Sequence, residues 1–191
     1  MTVVVITPPP PILTQAEVKA HLRVDHGDED ALIDALIATA QAHLSGPGGW
    51  LGRSIGEQTL ELRIARCAAS VALPYPPFRD VSSVTYLDPE EVEQTIAITD
   101  INVVSYLCRS VALWPKAGCW PGMASRPDAL RIRYSTGYLP ADPEFAPIRA
   151  AMLLLIGHWY ANREAASDAQ KVAPLPFGVE ALLSPLRVWS L

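Results

Sequence analysis

The sequence predicts an α+β fold, a helical core interrupted by a β-rich antiparallel insert, and three observations carry that expectation. Apolar residues near the N-terminus recur with a helical period, the middle of the chain switches to alternation, and a long apolar segment near residue 150 returns to helix. Half of the 191 residues are apolar and 18% are charged, a composition that closes a core rather than staying disordered. The expected organisation is an extended arm over residues 1–13, a helical core from 14–53 and 138–191, and the insert at 54–137.

The arm is read from Pro8, Pro9, Pro10 and Pro11, which fix φ and remove four backbone donors. Thr7–Pro11 is therefore expected to be polyproline-like and outside any sheet. Thr2–Ile6 is apolar but lacks a basic flank and runs into those prolines, so it is not read as a secretion signal. A helical hairpin follows. Thr14-Gln15-Ala16-Glu17 is a capping box, which starts a first helix over about Gln15–Leu22 that buries Val18 and Leu22. Asp25–Asp30 makes the turn, and its carboxylates suit the positive end of a second helix. That helix carries Leu32, Ile33, Leu36, Ile37, Ala40 and Leu44 on one stripe and ends at Ser45-Gly46-Pro47-Gly48-Gly49.

In the insert, Leu60, Leu62 and Ile64 alternate with Glu61 and Arg63. Val84 and Tyr86 alternate with Ser83 and Thr85, and Leu130, Ile132 and Tyr134 with Arg131 and Arg133. These are half-buried antiparallel strands, separated by turns at Pro74–Pro77, Asp88-Pro89, Trp114-Pro115 and Trp120-Pro121-Gly122. Helix then returns from Pro147 to about Arg163, with Ile148, Met152, Leu155 and Trp159 on one side and Leu153, Leu154 and Ile156 opposite. A helix that is apolar all round must be covered all round, by its own chain or by another. Residues 162–173 read as a polar linker and 175–183 as a short amphipathic turn or helix. The apolar segment Leu186, Arg187, Val188, Trp189, Ser190 and Leu191 is expected to dock on something.

The patterns that chemistry needs are missing. His21, His26, His43 and His158 have no partner at metal-ligand spacing, and His158 is expected to be a hydrogen-bonded core residue. Asp25–Asp30 lacks the closing glutamate of a calcium loop. Gly46–Gly49 follows a helix and lacks the Gly-Lys-Ser/Thr of a phosphate cradle. No catalytic, cofactor-binding or metal-ligating residue is assigned, and no cofactor is expected. The net charge of −5 argues against affinity for nucleic acid, which comes from cations on phosphates. Three cysteines without a C-x-x-C pair fit reduced thiols, which argues against a bridge between Cys108 and Cys119. No apolar run approaches the ~20 residues of a membrane helix. Trp114 and Trp120, in a Pro/Gly-bracketed loop, either pack locally or meet a partner, whereas Trp189 favours a partner.

Three stretches taken together carry a resemblance. They are Ala16–Asp25 with the acidic turn and helix behind it, Leu73–Pro77 leading to Val84–Asp88, and Ile148–Glu164 followed by Leu175–Leu183. In order and spacing the chain resembles the head–tail connector (adaptor) proteins of long-tailed bacteriophages, prophages and gene transfer agents, in the form with a β-rich insert. The resemblance implies a non-catalytic structural protein, a ring of usually twelve copies in the neck of a virion or phage-like particle, assembled in the bacterial cytoplasm. Its implied partners are itself, the portal protein above and a downstream neck or tail-terminator protein, with DNA passing through the channel unread. By the same likeness, Leu186–Leu191 would dock on the portal. Leu36, Ile37, Ile148, Met152, Leu155 and Trp159 would form the subunit core and ring seam. Two other classes stay open on residues alone: a phage-encoded hydrolase, and a small DNA-binding regulator for which Arg131 and Arg133 are the nearest basic face.

Overall fold

The computed structural model describes residues 1–65, 68–106, 109–162 and 176–188. The chain divides into two compact units, one of Met1–Pro9 with Gly56–Gly137 and the other of Pro10–Ile55 with Tyr138–Leu191. Helices and strands from the two units together make an α+β fold.

The helical unit begins with α1 (Gln15–Leu22). Thr14 Oγ accepts from the Glu17 N–H at 3.3 Å, and the Thr14 N–H donates to Glu17 Oε2 at 2.8 Å, so the predicted capping box is formed in both directions. Arg23 closes the helix in the left-handed conformation at φ 59°. Next, α2 (Asp30–Leu44) buries Ile33, Ile37, Ala40 and Leu44, a three-and-four spacing that lines one face. α3 (Phe145–Ala161) starts two residues earlier than the Pro147 expectation and buries Phe145, Ile148, Ala151, Met152, Leu155 and Ile156. α4 (Phe177–Leu183) adds Val179 and Leu183 to the same core and runs into a 3₁₀ turn at Ser184–Leu186. Leu36, Leu153, Trp159 and Leu186 pack half-buried around it. The apolar sides of α3 are thus largely covered inside this unit, with Leu154 the large side chain left in water.

The β unit holds two antiparallel sheets. The first, in the order β1-β2-β8-β4-β5, is built from β1 (Thr2–Thr7), β2 (Gln58–Ile64), β4 (Phe78–Leu87), β5 (Glu93–Ile96) and β8 (Leu130–Thr136). The second, in the order β3-β7-β6, is built from β3 (Val71–Leu73), β6 (Ile101–Ser105) and β7 (Val111–Pro115). Leu60, Leu62, Val84, Ile132 and Tyr134 from the first sheet share one buried cluster with Val71, Leu73, Ile101, Val111 and Leu113 from the second. The alternation in β2 and β8 sets their register: Leu60 faces Tyr134 and Leu62 faces Ile132 on the core side, while Glu61 faces Arg133 on the other. Residues 2–7 are paired rather than free, with Val3 opposite Leu62 and Val5 opposite Leu60. Pairing stops at Thr7, because the prolines that follow have no N–H to donate.

Candidate assembly surfaces

Few titratable groups among the described residues gather where catalytic chemistry could be done. Among the described residues no three of His, Cys, Asp and Glu gather at a distance that could hold a metal ion. His43 meets Trp159 edge to face at 6.0 Å. His158 is exposed, not buried, with Asn162 Nδ2 3.4 Å from its ring Nδ1. It falls one helical turn after Leu154, on the wet side of α3. A hollow of about 560 Å³ in the β unit is lined by Ala65, Ala68, Ala69 and residues of the loop from Gly118 to Ser125. Cys119 is the one titratable side chain among its described lining residues, and a thiol without a base is a poor catalyst.

On the outer face of the first sheet and in the turn before β8, arginines share carboxylates. Glu61 is 5% exposed and accepts from Arg133 Nη2 at 2.7 Å and Arg63 Nη2 at 2.8 Å. Burial pushes its carboxyl upward, but the hydrogen bonds and charges of Arg133 and Arg63 outweigh it and hold the group below the usual carboxylate range. Arg131 Nη2 donates to Asp128 at 2.6 Å, and Asp128 also meets Arg126 at 3.3 Å. Arg131 and Arg133, the nearest basic face for nucleic acid, are thus each engaged by a carboxylate, Asp128 in the turn before β8 and Glu61 on β2.

The expected docking segment has a defined root. Leu186 packs against the helical core, and its carbonyl accepts from Nε of the buried Arg53. The Arg187 guanidinium lies 4.2 Å from the centre of the Trp50 ring, a stacked cation–π pair. The Val188 N–H donates to the Leu51 carbonyl at 2.9 Å. Gly52 makes this approach possible: its φ is +62°, and a Cβ there would stand 2.6 Å from the Val188 oxygen. Trp50–Arg53 is the cradle that sequence reading missed, although a glycine three residues past Gly49 was a visible signal. Trp189, Ser190 and Leu191 lie outside the described residues. Of the residues expected in the subunit core and ring seam, Ile37, Ile148, Met152 and Leu155 are interior to the helical unit, and Leu36 and Trp159 lie half-buried against its core.

Apolar surface is left in water elsewhere. Phe177 is 87% exposed at the start of α4. Asn102–Ser105 of β6 are exposed along their whole length, as is Tyr106 beyond them. Trp114 is the last side chain but one of β7, not part of a loop, and faces Asn102 across the sheet. Trp120 packs half-buried on the β core, which settles its local reading.

No protein-family model and no curated protein matches this chain. Solved structures do. A chain in the neck of an empty gene transfer agent particle computed with C6 symmetry aligns over 100% of this chain and 97% of its own, with TM-score 0.75 and 23% identity. A chain in the virion of a native gene transfer agent particle gives TM-score 0.74 and 22% identity over the same shares. One in the neck of a native particle computed with C12 symmetry gives 0.68 and 20%. Both units of this chain, helical and β, thus share the fold of chains found in gene transfer agent particles.

Proposed function

We propose that this chain is a structural, non-catalytic subunit of the neck of a phage-like particle: a head–tail adaptor whose copies form a ring beneath the portal. The observation that carries the reading is the whole-chain likeness, over 100% of this chain and 97% of the other, to a chain from a gene transfer agent neck. A likeness confined to one unit would speak only for a common module, whereas this one spans both. The C12 and C6 symmetries of the neck structures support a cyclic assembly, with twelve copies as the expected number. The net charge of −5 and the paired arginines suit a channel wall past which DNA slides without being held. No helix among the described residues is long and apolar enough to cross a membrane.

In this proposal the root Leu186–Val188 stays with its own subunit and Trp189–Leu191 reach the portal. The test removes Trp189, Ser190 and Leu191 only, so that the Val188–Leu51 hydrogen bond is kept. The truncated chain folds as before, fails to bind purified portal rings, and leaves particles with heads and tails unjoined. Unchanged portal affinity defeats the docking assignment. A particle that assembles its neck normally with the whole gene deleted defeats the adaptor reading itself.

A further inference from the structure

Four strands end the two sheets of the β unit, and they are not equally guarded against pairing with another chain. β3 is three residues long and is followed by Pro74. β5 is four residues long, contains Glu93 and follows Glu90 and Glu91, so an added strand would meet a row of carboxylates. β6 lacks such guards, and β1 is guarded only at its far end, where the pairing shifts register after Val5 and Pro8–Pro11 follow Thr7. Thr2–Thr7 has no charged side chain, pairs regularly with β2 through Val5, and exposes Val5 and Ile6. Ile101–Ser105 pairs with β7 without a register break, carries no charge, and leaves Val103 at 42% and Val104 at 39% exposure on opposite faces.

A five-residue regular edge that is apolar on both faces invites strand addition in water, so an occupant is needed. We infer that the open edge of β6 pairs with the open edge of β1 in the next copy of this chain, so that the ring seam is a β-sheet continued from subunit to subunit. The inference rests on the ring reading above. Cyclic symmetry requires two different patches on each copy, because a patch that pairs with itself makes a two-fold dimer. β6 with β6 is such a self-pair, and β5 and β3 are guarded. β1 remains as the uncharged edge, regular over Thr2–Val5, and it ends the other sheet of the same unit. Strand addition also tolerates low sequence identity, since backbone N–H and C=O groups supply the contacts.

The experiment places a photo-cross-linking residue at Val104 of the full-length protein and mixes isotope-labelled with unlabelled chains, both in concentrated solution and in assembled particles. Cross-linked peptides that join residue 104 to residues 2–7 of a differently labelled chain support the seam. V103K/V104K, at exposed positions, keeps the wild-type unfolding curve and loses the ring. A ring that persists in V103K/V104K overturns the seam, as do cross-links from β6 to β6, to another protein, or to no second chain. These failures leave the neck reading standing if the wild-type protein is a ring in the particle neck. Its absence from the particles removes both.

Discussion

Gly52→Ala tests whether the C-terminal segment is held where the structure places it. The substitution has two separable costs. An alanine at φ +62° takes on left-handed strain of about 1–2 kcal/mol. Its Cβ would also stand 2.6 Å from the Val188 carbonyl oxygen, so the segment must retreat by roughly 0.8 Å to reach ordinary contact. That retreat opens the 2.9 Å bond from the Val188 N–H to Leu51, worth about 1 kcal/mol net. Gly48 isolates the second cost, because its φ is +91° and nothing lies within 4 Å of the position its Cβ would take. Gly48→Ala should therefore show strain alone, and Gly52→Ala should exceed it by about 1 kcal/mol in chemical denaturation. Hydrogen exchange reads the local consequence: the Val188 amide exchanges about fivefold faster in Gly52→Ala and at the wild-type rate in Gly48→Ala. Equal destabilisation of the two variants with unchanged Val188 protection refutes the reasoning and detaches Leu186–Val188 from the Trp50–Arg53 cradle.

Two further perturbations address the β unit. Glu61→Gln removes the charge that Arg63 and Arg133 share and lowers stability by about 1–2 kcal/mol at neutral pH, softened because both arginines reach solvent. The folded carboxyl is held below its unfolded value, so its contribution is complete above about pH 4.3 and fades as pH falls through the lowered value. The gap between wild type and Glu61→Gln in pH-resolved melting curves should close on acidification, and a gap that widens in acid contradicts the ion pairing. Tyr134→Phe deletes the 2.9 Å hydrogen bond to the Pro74 carbonyl and costs about 1 kcal/mol, read as a lower melting temperature. Burial, followed by the nearby Tyr75, pushes the Tyr134 phenol above its ordinary range. Its stabilising share is complete below about pH 10 and is lost as pH rises from there, so ultraviolet titration should find one tyrosine that ionises only on alkaline unfolding.

The helices were legible because their signals are local. The Thr14–Glu17 capping box and the Ile33-Ile37-Ala40-Leu44 stripe need no knowledge of distant residues, and α1 and α2 begin and end where those signals put them. β2 and β8 were legible because apolar side chains line one face and charged ones the other, which writes alternation into the sequence, and β4 because its stretch Ser83–Tyr86 alternates despite bulges earlier in the strand. The remaining strands break that rule in different ways. Val111, Ala112 and Leu113 of β7 are buried on both faces, β6 is exposed on both beyond Ile101, and β5 carries mostly polar side chains. None of these alternates charged with apolar side chains, so no strand was expected at any of them. β1 was hidden by the prolines after it, which end a strand as readily as they make a free arm. His158 misled because its neighbours in sequence are apolar, while its neighbours on the helix surface are Leu154 and solvent. The C-terminal segment announced itself as apolar, but its cradle depends on a left-handed glycine contact across more than 130 residues, which no window of sequence contains.

The burial of α3 also restricts how copies of this chain could meet. Ile148, Met152 and Leu155 have no surface left to offer, being fully buried with Ile33 and Ile37 in the helical unit. Recruiting them to a seam would expose them first, at about 1.5–3 kcal/mol for each large side chain, before any contact with a neighbour formed. Three such residues would consume much of the 5–15 kcal/mol that holds an ordinary domain together. A seam on residues already in water has no such cost. The backbone edges of β1 and β6 are in that state in the single chain, and their pairing would remove exposed Val5, Ile6, Val103 and Val104 from solvent without disturbing either core. A seam of that kind would join surfaces already finished, over the described residues, in the single chain.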